Sequence, residues 1–172
     1  MSRYLLSSQC VFDIIKRRNL DAELWLEAAD ARGLYADDIC ISAVTPMTIQ
    51  WQLEQALAKA RANPQTAEYP VPIIKDFLDQ ANRFFEEFAR HDRIIPMDHK
   101  IAKRWGDLLD MRIAYTNPDG NSYDVPSATK VELATALVGR GDFPLVYVDY
   151  HQDGHAEVPN LAVENPEDIV RR

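Results

Sequence analysis

Short apolar runs alternate with longer segments of helical periodicity along the whole chain. Runs short enough for buried strands occupy residues 4–6, 39–42, 94–95, 144–148 and 161–163. The clearest of the intervening segments carries apolar residues at three- and four-residue steps, from Ile74 to Phe88. Strands that alternate with helices are typical of a parallel sheet covered by helices. We therefore predict an α/β fold, a three-layer sandwich with a central parallel sheet of about four or five strands flanked by helices.

Length and composition favour a single soluble domain over residues 1–172. A chain of 172 residues can bury one substantial core, and 27% charged residues is ordinary for a globular protein. The formal net charge of −8 argues against a general nucleic-acid binder, because phosphate contacts require Lys and Arg. Cys10 and Cys40 have no metal-type spacing, which favours reduced thiols. With no run of transmembrane length and no signal-peptide pattern, we expect a cytoplasmic protein without a membrane partner.

Polar residues follow the apolar runs at the positions where parallel strands end. Ser7 comes directly after the first run, and Asp149 directly after the fourth. Thr48 lies in the first turn of the helix that follows the second run, for which Thr45-Pro46 is a strong start signal, with Thr45 as the cap. Because ligands of open α/β sheets bind outside the carboxyl ends of the strands, we expect these residues to surround a crevice.

Several of these segments resemble one family. The opening 4–6 with 11–13, the second run 41–45, the segment 94–98, the helix 125–137, the strand 145–149 and the closing Asn165-Pro166 are similar, in this order, to PIN-domain proteins, particularly the VapC-type toxin ribonucleases. The resemblance covers nearly the whole chain. It implies a PIN-like sandwich and Mg²⁺- or Mn²⁺-dependent cleavage of RNA by a cluster of acidic residues.

The resemblance places hydroxyl residues where the family has carboxylates. Ser7 stands at the first aspartate, Thr48 at the glutamate after the second strand, and Thr129 at the aspartate that opens the later helix. Asp149 is the family acid that is retained, and any metal bound by it alone would be held weakly. Three or four carboxylates repay the dehydration of a divalent cation far better than one carboxylate with three hydroxyls, so we expect no bound cofactor, although Mg²⁺ can bind through one or two carboxylates together with RNA phosphates.

Two other acids and one loop are candidates for compensating ligands. Glu132 lies one helical turn after Thr129, and Asp13 lies along the first helix; either acid can be placed in the crevice or be an ordinary solvated or salt-bridged helix residue. The acids and histidines at 149, 151, 153 and 155 alternate, so an extended segment would present all four on one side, as Zn²⁺ or Mn²⁺ ligands. Gly154 instead favours a flexible surface loop, as does the turn-rich stretch 116–124.

These observations lead to two hypotheses about function. In the first, the chain is a non-catalytic or weakly active PIN-domain protein that binds an antitoxin-like protein or a second PIN subunit, forms a homodimer and contacts RNA weakly. In the second, it is an active Mg²⁺- or Mn²⁺-dependent endoribonuclease that uses Asp149 with Glu132, with Asp13 or with the histidine-containing loop 151–155.

Overall fold

The computed structural model describes residues 3–17, 20–31, 39–116, 119–141, 143–150 and 152–170. In chain order the elements are β1 (Tyr4–Leu6), α1 (Ser8–Lys16), α2 (Leu20–Ala31), β2 (Ile39–Ser42), α3 (Val44–Ala62), α4 (Val71–Arg90), β3 (Ile94–Ile95), α5 (His99–Leu109), β4 (Ala114–Thr116), β5 (Ser122–Asp124), α6 (Ser127–Val138), β6 (Val146–Val148), α7 (Gln152–His155), β7 (Ala162–Glu164) and α8 (Glu167–Val170). Within these residues, five parallel strands form one sheet in the order β3-β2-β1-β6-β7. The predicted α/β fold is confirmed.

The sheet separates two hydrophobic cores, which gives the three layers. Side chains alternate along β1, so that Tyr4 and Leu6 belong to the core shared with α1 to α4, and Leu5 belongs to the core shared with α5 and α6. All three residues are buried. Burial on both faces explains why this strand is a continuous apolar run in the sequence.

Helix ends are set mainly by the residues that the sequence indicates, with one exception. Asp98 caps α5, because its Oδ1 accepts a hydrogen bond from the Ile101 amide at 2.8 Å. Gly139 ends α6 with a φ of 70°. Thr45 is not the cap of α3, however, because that helix begins at Val44 and the Thr45 side chain is buried. The predicted stop of the second helix at Gly33 lies outside the described residues.

Two segments expected to be loops have regular structure. The stretch 116–124 contributes to the antiparallel hairpin of β4 and β5, where the rings of Tyr115 and Tyr123 lie 5.8 Å apart across the strands. Residues 152–155 form the short helix α7. Gly154 lets α7 approach β4 closely, since a Cβ atom on it would lie 1.6 Å from the carbonyl oxygen of Ala114.

Candidate functional site

The site begins where the two central strands end side by side. Leu6 of β1 pairs with Val148 of β6, so Ser7 and Asp149 leave the sheet at the same level. Ser7 Oγ donates to Asp149 Oδ1 at 2.9 Å and accepts from the Cys10 amide at 3.1 Å, which caps α1. This hydroxyl therefore does two structural tasks, joining the ends of β1 and β6 and starting the helix.

Glu132 lies at the centre of a hydrogen-bond network. It projects from α6 and is only 2% exposed. Its carboxyl group accepts hydrogen bonds from the Ser8 amide at 3.1 Å, from the Ser8 hydroxyl, from Thr45 Oγ1 at 3.0 Å and from Tyr147 OH at 2.8 Å. A carboxylate has about four acceptor positions, so these four donors account for its capacity. The carboxyl group thereby connects α6 to α1, α3 and β6.

The environment of Glu132 changes its titration. Burial raises the pKa of this carboxyl group from 4.5 to about 7, although the hydrogen bonds from Ser8 and Tyr147 act in the opposite direction. The nearby Asp149 charge raises the pKa further. Burial also raises the pKa of Tyr147 well above its ordinary value, so its hydroxyl remains a donor to Glu132 at neutral pH.

Asp149 is held at the bottom of the site by a second partner. His155 Nε2 lies 3.7 Å from Asp149 Oδ2, and both residues are buried. The His155 ring also meets the Tyr147 ring edge-on, with centroids 5.3 Å apart. The short helix α7 supplies this histidine, which packs against the floor formed by β6.

The metal site suggested for residues 149, 151, 153 and 155 requires an extended segment, and the segment is not extended. Residues 152–155 are helical rather than extended, so alternate side chains do not face one way. His155 does lie beside Asp149. His151 and the side chain of Asp153 lie outside the described residues.

A cleft of about 620 Å³ opens above these groups. Of the sequence-predicted site residues, those that line the cleft are Ser7, Thr48, Thr129, Glu132, Asp149 and His155. The interpretation of Glu132 as a solvated or salt-bridged residue is wrong, because it is buried among neutral donors. Asp13 does not reach the cleft: it lies one turn beyond Gln9 and accepts from Gln9 Nε2 at 3.2 Å on the exposed side of α1.

Sequence reasoning missed the partners of Glu132. Ser8 has no predicted role, Tyr147 lies within the predicted strand 144–148, and Thr45 is predicted as a helix cap. One signal was available for Tyr147, because a tyrosine in a fully buried strand needs a partner for its hydroxyl. The apolar rim of the cleft was also missed; it is formed by Met47, Trp51, Tyr115, Val125 and Pro126.

The donor set of the site does not fit Mg²⁺ or Mn²⁺. Among the described residues there is no group of three or more His, Cys, Asp or Glu side chains arranged to hold a metal ion. Glu132 already accepts four hydrogen bonds, and Asp149 Oδ1 accepts from Ser7. A hard cation requires several oxygen ligands that are not already committed to donors, and this arrangement offers few.

The sheet order, the helical layers and the cleft at the carboxyl ends of the strands define a PIN-like α/β sandwich. Solved structures share this fold over almost their full length. VapBC2 from Rickettsia felis, bound to a DNA fragment from its promoter, has a TM-score of 0.56 at 14% identity, with 94% of this chain and 97% of that chain covered. DNA-bound VapBC from Salmonella typhimurium has a TM-score of 0.55 at 16% identity, with 96% and 99% covered.

FitAcB from Neisseria gonorrhoeae is similar to the same extent, with a TM-score of 0.54, 18% identity and 95% and 98% of the two chains covered. No family model and no curated protein matches the sequence. The likeness to these structures therefore establishes a shared fold. None of the described helices combines the length and the apolar character that a membrane span requires.

Proposed function

We propose that this chain is a PIN-domain protein of the toxin–antitoxin type that does not cleave RNA and acts by binding a protein partner. The observation that carries the proposal is the four-donor network around Glu132. The hydrogen bonds take up the acceptor positions of Glu132, the acid in the cleft that could have compensated for the missing family carboxylates. Ser7, Thr48 and Thr129 place hydroxyls at the three positions where the family has acids.

Charge is the physical reason for the loss of nuclease activity. A two-metal site neutralises the attacking and leaving oxygens with cations held about 4 Å apart, which needs several carboxylates between them. Here Asp149 is the one family acid in the cleft, and it is hydrogen-bonded to Ser7. The protein retains the scaffold and replaces the anionic centre with internal hydrogen bonds, a change that favours stability over activity.

The partner is proposed from the fold. Solved structures that share it include VapBC2, a DNA-bound VapBC and FitAcB, and the resemblance of the sequence to VapC-type toxins implies an antitoxin-like partner. We propose an antitoxin-like protein as the partner, with a second PIN subunit as the alternative, a homodimeric arrangement and only weak contact with RNA. The chain's net charge of −8 agrees with a protein partner better than with an extended RNA track.

A nuclease assay tests the catalytic part. The purified chain, incubated with structured and single-stranded RNA in Mg²⁺ or Mn²⁺, is expected to leave the RNA intact. The triple change Ser7→Asp, Thr48→Glu, Thr129→Asp is expected to recover part of the activity, and adding Asp149→Ala should abolish it again. Robust cleavage by the unmodified chain that disappears in Asp149→Ala would defeat the proposal.

The competing function is an endoribonuclease that uses Asp149 with Glu132. It is favoured by one observation, since both carboxyl groups line the same cleft. The two functions differ in the effect of Glu132→Gln. If the chain acts by binding a protein partner, Glu132→Gln should not alter its behaviour towards RNA. If the chain is a nuclease with Glu132 as a metal ligand, the same change should abolish RNA cleavage.

Partner binding has a separate readout. The tagged chain, purified from its native host, is expected to carry one small protein in fixed stoichiometry, identified by mass spectrometry. Light scattering on the reconstituted pair and on the isolated chain would then give the subunit ratio and test the homodimer. A chain that remains monomeric and forms no stoichiometric complex would contradict this part.

A further inference from the structure

Helix α3 has apolar side chains on both of its sides. Its inner side holds Ile49, Leu53 and Leu57, which are buried against the rest of the domain. Its outer side carries Met47 and Trp51, which are 64% and 63% exposed. A helix that packs on a domain with one side only usually presents charged and polar residues on the other. The outer side of α3 departs from this pattern.

The outer residues of α3 form one stripe along the helix axis, which we call the α3 stripe. It consists of the exposed residues Met47, Trp51, Gln55, Ala58 and Ala62. At 3.6 residues per turn, the other four lie within about 40° of Trp51 around the axis. None of the five carries a charge, although 27% of the chain is charged. Loss of charge around exposed Trp and Met is typical of the centre of a protein–protein interface.

Two residues of opposite charge lie on the same flank of the α3 stripe. Glu54 is rotated by about 60° and Arg61 by about 80° from Trp51, in the same direction. Both are exposed, and they are separated by two helical turns. In the part of the chain that the structure describes, neither of them belongs to an ion pair, and Glu54 accepts only from Gln50 Nε2, at 3.1 Å.

We infer that two copies of the chain pair through the α3 stripe, with their α3 helices antiparallel about a two-fold axis near residue 57. Residues at similar distances on either side of the axis then meet across it. Trp51 of one copy lies over Ala62 of the other, and Glu54 lies beside Arg61. Each contact occurs twice, because a two-fold interface uses the same surface on both copies. This inference rests on the homodimer of the proposed function and specifies its face.

Charge and size select a second copy in this orientation. Two chains with a net charge of −8 repel each other over most of their surfaces, so an uncharged face is where they can approach. Antiparallel pairing then sets the largest side chain of the stripe, Trp51, against a small one and an acid against a base. A parallel pair would instead bring Trp51 against its own copy and place Glu54 and Arg61 on opposite sides of the interface.

The pairing leaves the cleft accessible to a protein partner. Thr48 and Gln52 line the cleft and lie on the flank of α3 opposite to Glu54. Trp51 lines the cleft as well as belonging to the α3 stripe. A second copy would therefore extend the wall of the cleft that Trp51 forms. The homodimer and the complex with a protein partner are thus compatible on one molecule.

Charge exchange between Glu54 and Arg61 tests the contact. Sedimentation equilibrium on the full chain is expected to give a dimer. Glu54→Arg and Arg61→Glu each place like charges side by side twice, and each should weaken the dimer at least tenfold. The double change restores opposite charges and should recover most of the affinity. Asp79→Arg and Arg83→Glu, exposed in α4, change the net charge equally and should leave the affinity within about twofold.

Chemical crosslinking tests the direction of the two helices. Cys10 and Cys40 are buried, so a maleimide reagent reacts selectively with an added surface cysteine. Ala58→Cys lies beside the proposed axis and should give a covalent dimer with a short bismaleimide. Ala62→Cys lies about 15 Å along the axis from its copy in the antiparallel pair and should crosslink poorly. Ala89→Cys, exposed in α4, is the control and should not crosslink.

Three other outcomes would overturn the inference. A dimer unaffected by Glu54→Arg and by Arg61→Glu would place the interface elsewhere and leave the proposed homodimer intact. Efficient crosslinking through both Ala58→Cys and Ala62→Cys would mean that the helices are parallel. A chain that stays monomeric would contradict the homodimer as well. If Glu54→Arg then abolished the stoichiometric complex with the partner protein, the α3 stripe would belong to that partner and partner binding would stand.

Discussion

Glu132 illustrates how one residue can change from a possible ligand into a structural connection. The notion that it compensates for missing family acids is attractive in the sequence, where it follows Thr129 by one helical turn. In the structure its carboxyl group faces hydroxyl and amide donors from three other elements. A group surrounded in this way stabilises the packing of α6, and its removal would leave several buried donors unsatisfied.

The raised pKa of Glu132 makes a prediction about stability and pH. Between pH 4.5 and about 7 the folded state keeps the proton that the unfolded state has lost, so the free energy of unfolding falls as pH rises through this window. Across this pH window the raised pKa of Glu132 lowers the free energy of unfolding by about 3 kcal/mol. Glu132→Gln cannot titrate and should lack this part of the slope, as measured by urea unfolding at several pH values.

The control for this experiment is Glu86→Gln, an exposed residue of α4. It should retain the slope of the unmodified protein, because it leaves the buried Glu132 in place. If Glu132→Gln and Glu86→Gln give the same pH dependence, burial of Glu132 does not govern its titration.

At the level of elements, the small hairpin and α7 together complete the wall of the cleft. The hairpin supplies Tyr115, and α7 supplies His155 beside Asp149. Their contact depends on the absence of a side chain at Gly154, where a Cβ atom would overlap the Ala114 carbonyl. The position of His155 therefore depends on Gly154, which in the sequence predicts only a loop.

Gly154→Ala should separate these two elements. The overlap with backbone atoms forces α7 or β4 to move, and we expect a loss of about 2 kcal/mol in the free energy of unfolding. Gly106→Ala is the matched control in α5, where nothing lies within 4 Å of the added atom. That change should stabilise the protein by up to about 1 kcal/mol. A Gly154→Ala protein as stable as the Gly106→Ala protein would show that the contact is unimportant.

For the molecule as a whole, the sequence predicts the sheet far better than the site. The inner strands β1 and β2 are short apolar runs because they are buried on both faces of the sheet, and such a run is a local signal in the sequence. The hairpin gives no such signal, since the residues of β5 are exposed. The network around Glu132 depends on Ser8, Thr45 and Tyr147 meeting in space, and no local spacing contains that information.

The exchange of carboxylates for hydroxyls also predicts how stable the whole molecule is without metal. Ser7→Asp, Thr48→Glu and Thr129→Asp would add three negative charges to the cleft that already contains Asp149. Like charges repel strongly where solvent screening is reduced, so the melting temperature of the triple variant should fall by several degrees in the presence of a chelator. Ser7→Asp contributes a further cost, because it removes the hydroxyl that donates to Asp149.

Addition of Mn²⁺ should then restore much of the lost melting temperature of the triple variant, because a site with several carboxylates binds the cation in the folded state. The melting temperature of the unmodified chain should not change in Mn²⁺. Differential scanning calorimetry with chelator, with Mn²⁺ and with an equal ionic strength of NaCl separates specific binding from screening. An equal rise in melting temperature for both proteins in Mn²⁺ would mean that the native cleft already binds the cation, and that its hydroxyls have not replaced a metal centre.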